Sequence, residues 1–101
     1  MTQKLFKQIT NWQSKTFPKS TPSSYLTHLK EEIKELQSDI ISNNPNKNLE
    51  YADCLILLIG AAAKDNLSYN DIINSINTKM SINIKRKWNK PSKTGVYKHI
   101  K

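Results

Sequence analysis

One cysteine, two glycines and one arginine are all that this 101-residue chain holds of those three residues, and each shortage excludes something. Cys54 alone rules out an intrachain disulfide, and its place in an apolar run marks it as a small core residue. Gly60 and Gly95 are the only glycines, and no segment alternates between apolar and polar residues, so the chain reads as all-α rather than as a sheet. Arg86 stands without arginine neighbours, so there is no arginine-rich arm, and no recognised nucleic-acid-binding motif is present. The longest apolar run, Cys54 to Ala63, has ten residues and is too short to span a bilayer. The N-terminus alternates lysine with apolar residues and lacks the continuous hydrophobic region of a signal peptide. These features point to a soluble cytoplasmic protein of one domain, residues 1–101, with a small core that self-association could enlarge.

Acidic residues are also scarce: eight against sixteen basic ones, for a formal net charge of +8. A basic surface attracts polyanions, whether nucleic acid, acidic membrane or nucleotide, but charge alone fixes neither fold nor partner. The distribution of the glutamates says more. All four lie in two clusters, Glu31-Glu32-Ile33-Lys34-Glu35 and Glu50-Tyr51-Ala52-Asp53. Each cluster holds carboxylates three residues apart, one helical turn, so each pair shares a face.

Periodicity predicts four helices. The first covers residues 3–16, with Leu5, Ile9 and Trp12 at helical spacing and Phe6 beside them, and Phe17-Pro18 ends it. The second begins at Thr21 as N-cap with Pro22 in the first helical position, carries the stripe Leu26, Leu29, Ile33, Leu36 and Ile40, and runs to about Ser42. Asn43 to Asn48 reads as a turn. The third, from about Leu49 to Asp65, is apolar nearly all round and is expected to be the most buried element. Asn66 can end it in the left-handed conformation. Ser68 and Asp71 resemble a capping box for the fourth helix, which carries Ile72, Ile73, Ile76, Met80 and Ile84. Pro91 ends the helical pattern, and residues 90–101 form a basic tail with little expected regular structure.

A short turn joins the second and third helices, which should therefore pack antiparallel. Glu32 and Glu35 can then face Glu50 and Asp53 across one pocket, provided the loop absorbs an offset of roughly 5 Å, one helical turn. Four carboxylates with no His or Cys nearby suit Mg²⁺, with Mn²⁺ an alternative, and point to phosphate chemistry. The plainer reading of the first cluster is a solvated helix face. Asp53 is harder to explain that way, being the only polar residue from Ala52 to Ala63. His28 and His99 lie far apart in sequence, which argues against zinc, and read as surface or tail residues. Lys79, Asn83 and Arg86 share one face of the fourth helix. A guanidinium and an ammonium can bind phosphate oxygens, and an amide can bind a sugar or a base. Trp88 and Trp12 are each either core aromatics or base-stacking walls.

The pattern Glu32-x-x-Glu35, fourteen intervening residues, then Glu50-x-x-Asp53 resembles that of the MazG-like all-α nucleoside triphosphate pyrophosphohydrolases. The surrounding residues extend the likeness: Trp12, Thr16-Phe17-Pro18, Thr21-Pro22-x-Ser24, His28-Leu29, Ile33, Leu36, Ala52, and Lys79-x-x-x-Asn83-x-x-Arg86-Lys87-Trp88-x-x-Pro91, then Gly95 and His99. The likeness covers nearly the whole chain and is to the small single-domain dATP/dGTP branch, which includes the phage MazZ type. It implies a four-helix bundle that assembles as a homodimer or homotetramer. It further implies Mg²⁺-dependent hydrolysis of a purine deoxynucleoside triphosphate to monophosphate and pyrophosphate. In that scheme Glu32, Glu35, Glu50 and Asp53 hold metal, and Glu32 or Glu35 activates water. Lys79 and Arg86 neutralise phosphate, while Asn83, Trp12 and Trp88 contact sugar or base. Neither a membrane nor a stable nucleic-acid complex is expected as a partner. Two alternatives stay open: a pyrophosphohydrolase for dCTP, dUTP or a modified nucleotide, and a basic helical module that binds nucleic acid or protein.

Overall fold

The structure, a computed structural model describing residues 1–101, contains four helices and no strands: α1 (Gln3–Thr16), α2 (Pro22–Ile41), α3 (Lys47–Lys64) and α4 (Tyr69–Lys85). None is long and apolar enough to cross a membrane. The chain divides into two compact units, Met1–Tyr69 and Asn70–Lys101.

Local chemistry sets the helix ends in the first unit. Thr2 caps α1 by accepting the Leu5 amide at 3.1 Å. Thr21 and Ser24 cap α2 reciprocally: the Ser24 amide donates to Thr21 Oγ1 at 3.0 Å and the Thr21 amide to Ser24 Oγ at 2.9 Å. This is a capping box with serine in the place of the usual Glu or Gln. Between α2 and α3, Asn43 takes a left-handed φ of 54°. Its side-chain oxygen accepts from Lys47 Nζ at 2.8 Å, and the Asn46 amide donates to Asn44 Oδ1 at 2.9 Å. Asn side chains thus supply the bonds that a reversing backbone cannot make for itself. Asn66, at φ 65°, closes α3 as expected. The Leu67 and Asn66 amides return to the carbonyls of Ala62 and Ala63, both at 3.1 Å, which is the Schellman arrangement.

The core of this unit lies where α1 and α2 meet α3. Phe6, Tyr25, Leu36 and Ala61 are its buried hydrophobic residues, and Gln13 is buried among them. Gly60 makes the junction possible. A Cβ there would sit 2.6 Å from Gln13 Nε2 and 2.9 Å from Tyr25 Cε1, so only glycine admits both side chains. Phe6 also meets Tyr69, with ring centroids 5.7 Å apart, and the Tyr69 hydroxyl donates to the Met1 carbonyl at 2.7 Å.

The buried faces are not the apolar stripes read from the sequence. On α2 the buried and half-buried positions are Pro22, Tyr25, Leu29, Glu32, Leu36 and Asp39, whereas Leu26, Ile33 and Ile40 are exposed. On α1 the buried pair is Phe6 and Gln13, and Leu5 and Trp12 are exposed. Each helix is rotated by about one residue, or roughly 100°, from the face that apolar content favours. α3 carries the largest share of buried and half-buried residues, as expected of the central helix, although its burial is incomplete. Only Gly60 and Ala61 are buried on it, and Leu55 is 59% exposed. The reason is that α3 is covered by α1 and α2 on one side, while its other apolar side has no neighbour within this unit. An open apolar groove remains between α1 and α3, lined by Leu5, Ile9, Trp12, Leu55 and Ile59.

The second unit holds most of α4 and the residues after it. α4 stops at Lys85, short of Pro91, because the Trp88 indole donates to the Asn83 carbonyl at 3.1 Å and takes the place of the next helical amide. The chain then reverses. The amides of Asn89 and Ile100 donate to the carbonyls of Lys98 and Lys87, both at 2.8 Å, and Gly95 turns the corner at φ 83°. The Trp88 and His99 rings meet edge to face across this return, 6.0 Å apart.

Gly60→Ala should destabilise the protein although alanine favours helix. Overpacking costs about 1–3 kcal/mol, against the roughly 1 kcal/mol that alanine gains over glycine. A thermal melt should show a midpoint lower by several degrees.

Candidate metal centre and adjoining cleft

Glu32 and Glu35 project from α2 and Glu50 from the first turn of α3, and one carboxylate oxygen from each lies within 4.8 Å of the others. The sequence places these residues on two helices; the Asn-rich reversal brings them to one point. Glu32 and Glu50 are half-buried and Glu35 is exposed. Glu50 Oε2 is buried and has no hydrogen-bond partner. A carboxylate oxygen shielded from water and unpaired calls for a proton or a cation.

The electrostatics agree with that demand. Glu50 binds its proton more tightly than an ordinary carboxyl, first because burial penalises its charge, then because Glu32, Asp39, Asp53 and Glu35 surround it. Glu35 is shifted the same way, chiefly by the charge of Glu32 and a hydrogen bond to it, with burial, Asp39 and Glu31 adding to the effect. Burial, then Glu32, Glu50 and Asp53, also raise the Cys54 thiol and keep it protonated and unreactive. Three crowded oxygen donors without nitrogen or sulfur suit a hard divalent cation such as Mg²⁺ or Mn²⁺.

Asp53, one turn beyond Glu50, does not belong to this group of three oxygens. It is exposed, so the sequence expectation of a carboxylate buried in an apolar run is corrected: Asp53 opens onto a cleft between the helices. Asp53 and Glu32 line this cleft, of about 410 Å³. Trp12 and Phe17 form part of its wall, edge to face with centroids 5.3 Å apart. Gln13, Ser24, Tyr25, Ile56 and Leu57 also line it. His28 lies at its carboxylate end, with Nε2 3.2 Å from Glu32 Oε1. His28 is exposed on α2, as its reading as a surface residue expects, and that contact also places it beside the acidic group. The signal was its i,i+4 spacing to Glu32. Gln13 was missed, although a polar residue seven positions from Phe6 shares the buried face of α1.

In the second unit, Lys79 and Asn83 stand on α4 and Arg86 directly follows it. Arg86 Nη1 is 3.5 Å from Asn83 Oδ1, and Trp88 is tied to the Asn83 carbonyl.

A family model described as dATP/dGTP pyrophosphohydrolase matches residues 5–101. The chain belongs to that family. One relative, a dATP/dGTP diphosphohydrolase of Salmonella phage PMBT28, is 32% identical over 94 residues, 93% of this chain. The chain spans only 30% of that relative's length. A solved structure, the cyanophage S-2L MazG-like pyrophosphohydrolase, superposes with a TM-score of 0.81 at 29% identity, over 100% of this chain and 99% of that one. That protein holds dGDP and three catalytic Mn²⁺ ions per active site. The all-α, MazG-like fold implied by the Glu-x-x-Glu and Glu-x-x-Asp pattern is therefore the fold of this family member.

The raised proton affinities fix a sign. In the metal-free protein, Glu35 and Glu50 stay protonated to higher pH when folded than when unfolded, so their contribution to stability is present at low pH and lost as pH rises through the folded values. Glu50→Gln should therefore melt higher than the natural protein in chelator at pH 7.5, with the difference shrinking towards pH 5. Added Mn²⁺ should raise the melting temperature of the natural protein more than that of the variant.

Proposed function

We propose that residues 1–101 act as one Mg²⁺-dependent unit that hydrolyses dATP and dGTP to dAMP or dGMP and pyrophosphate. The observation that carries this reading is the convergence of Glu32, Glu35 and Glu50 beside a cleft that Asp53 also lines. Membership of the dATP/dGTP pyrophosphohydrolase family supports it, as does the span of the family model across both compact units. So does the nucleotide-bound, Mn²⁺-loaded state of the cyanophage relative.

In this reading Glu32, Glu35, Glu50 and Asp53 hold the cations, Mg²⁺ or alternatively Mn²⁺. When bound, such ions neutralise triphosphate charge and lower the pKa of water. Water attacks the α-phosphorus, the bond to the bridging oxygen breaks, and pyrophosphate leaves with that oxygen. Glu32 or Glu35 takes the proton from the water, and His28 orients Glu32 through its 3.2 Å contact. Trp12 walls the cleft against the nucleoside, and Lys79, Asn83, Arg86 and Trp88 serve the phosphates, sugar and base as the family likeness implies. We place the reaction in the cytoplasm, where deoxynucleotide pools are held. The exposed apolar faces of α1 and α3, including Leu5, Trp12, Leu55 and Leu58, support a homodimer or homotetramer.

Incubation with Mg²⁺ and each deoxynucleoside triphosphate should give monophosphate and pyrophosphate from dATP and dGTP. Orthophosphate as the product, or turnover confined to dCTP or dUTP, overturns the reading. Asp53→Asn should abolish turnover with an unchanged circular dichroism spectrum, and Lys79→Ala should raise KM about tenfold, the weight of one charge-assisted hydrogen bond. Leu55→Glu should lower the mass measured by light scattering to that of a smaller species.

A further inference from the structure

The charge of this chain is not spread evenly. Residues 1–71 hold all eight acidic side chains and half of the sixteen basic ones, so the formal excess of +8 belongs entirely to residues 72–101. There, within the second unit, Arg86 and seven lysines stand with no carboxylate side chain among them. All seven lysines are exposed. A surface charged for solubility alone mixes both signs, as residues 1–71 do. A long stretch of one sign is the footprint of a polyanion.

The segment after α4 gives these cations a shape. Trp88 and His99 pair antiparallel, and the Asn89 and Ile100 amides donate on either side of that pair. Pro91 has no amide hydrogen to continue the ladder. The Ser92 amide reaches the Val96 carbonyl at 2.9 Å instead, and the two arms part into a loop. The loop borders a pocket of about 410 Å³ lined by Asn89, Lys90, Ser92, Thr94, Val96 and Lys98. Two ammonium groups, two hydroxyls and a side-chain amide meet there, and these are the groups that contact phosphodiester oxygens. Tyr97 lies between Val96 and Lys98 in sequence and is 59% exposed. An aromatic ring left in water among lysines is a platform for an unpaired base. A duplex keeps its bases stacked away from such a ring, and one arginine offers only one fork for reading base edges in a groove. An acidic peptide would satisfy the lysines and leave the ring unused.

We propose that residues 87–101 bind single-stranded nucleic acid without regard to sequence, with phosphates on Lys90, Lys93 and Lys98 and a base stacked on Tyr97. The association is reversible and released by salt, unlike a stable complex. It does not rest on the hydrolysis assigned to the carboxylates and the cleft, where none of these four residues has a role.

Fluorescence anisotropy of the full chain with a labelled 20-mer of deoxythymidylate tests it. Binding should be micromolar at 50 mM salt, and log K should fall against log[salt] with a slope of about −2 to −3, as for three or four neutralised phosphates of a single strand. Lys90→Gln, Lys93→Gln and Lys98→Gln together should remove about two units of that slope and weaken binding roughly tenfold or more. Tyr97→Leu should weaken binding about fivefold or more at an unchanged slope, because stacking releases no counterions. Both variants should keep the melting temperature and the dATP turnover of the natural protein. A duplex or polyglutamate bound as tightly as the 20-mer overturns the proposal, as does unchanged affinity in Tyr97→Leu. So does displacement of the 20-mer by dGMP and Mg²⁺ at concentrations that saturate the cleft, or a parallel loss of dATP turnover in the triple variant: either assigns the lysines to the mononucleotide. If the triple variant unfolds, Tyr97→Leu and the salt slope of the natural protein decide. Binding of the 20-mer without hydrolysis of any nucleotide removes the hydrolase reading and keeps this one, whereas hydrolysis without binding does the reverse.

Discussion

Glu32, Glu35 and Glu50 are held together by two helices although each repels the other two, and the rest of the site is arranged around that opposition. The close packing of α2 on α3, enforced by the Asn43–Asn46 reversal, presents like charges to one another. Protons held more tightly than usual by Glu35 and Glu50 relieve part of the repulsion. A divalent cation would relieve it more completely, since it would also satisfy the unpaired Glu50 Oε2. Stability and metal affinity are thus linked: a cation that binds these carboxylates offsets their mutual repulsion.

A thin core accompanies this arrangement. Only Phe6, Tyr25, Leu36 and Ala61 are buried hydrophobic residues, while leucines and isoleucines on α1, α2 and α3 face outward. The helices turn mixed faces inward, with Gln13 and Glu32 among the inward residues, because those faces build the cleft and the acidic group. The richer apolar stripes are left outside, where a second copy of the chain can cover them. The cleft and the exposed apolar stripes are therefore two faces of the same helices, separated by about one residue of rotation.

The cleft combines two kinds of surface. Glu32 and Asp53 carry its charge, and the Trp12–Phe17 pair forms a wall. Gly60 lies where Gln13 and Tyr25 meet on α3, and any larger residue would displace both side chains. Charge and aromatic surface thus stand together in one cleft.

The sequence by itself determined the all-α class, the four helices, the Thr21-Pro22 start of α2 and the left-handed Asn66, because capping and turn chemistry act within a few residues. It also paired Glu32 with Glu35, since one helical turn fixes that spacing. Tertiary structure decided what depends on rotation and contact between helices. It brought Glu50 to the α2 pair and left Asp53 exposed along the cleft. It set His28 beside Glu32, buried Gln13 instead of Trp12, and ended α4 early through the Trp88–Asn83 bond. Local periodicity records how apolar a face is; which face is buried depends on the partner it meets, and that information is not local.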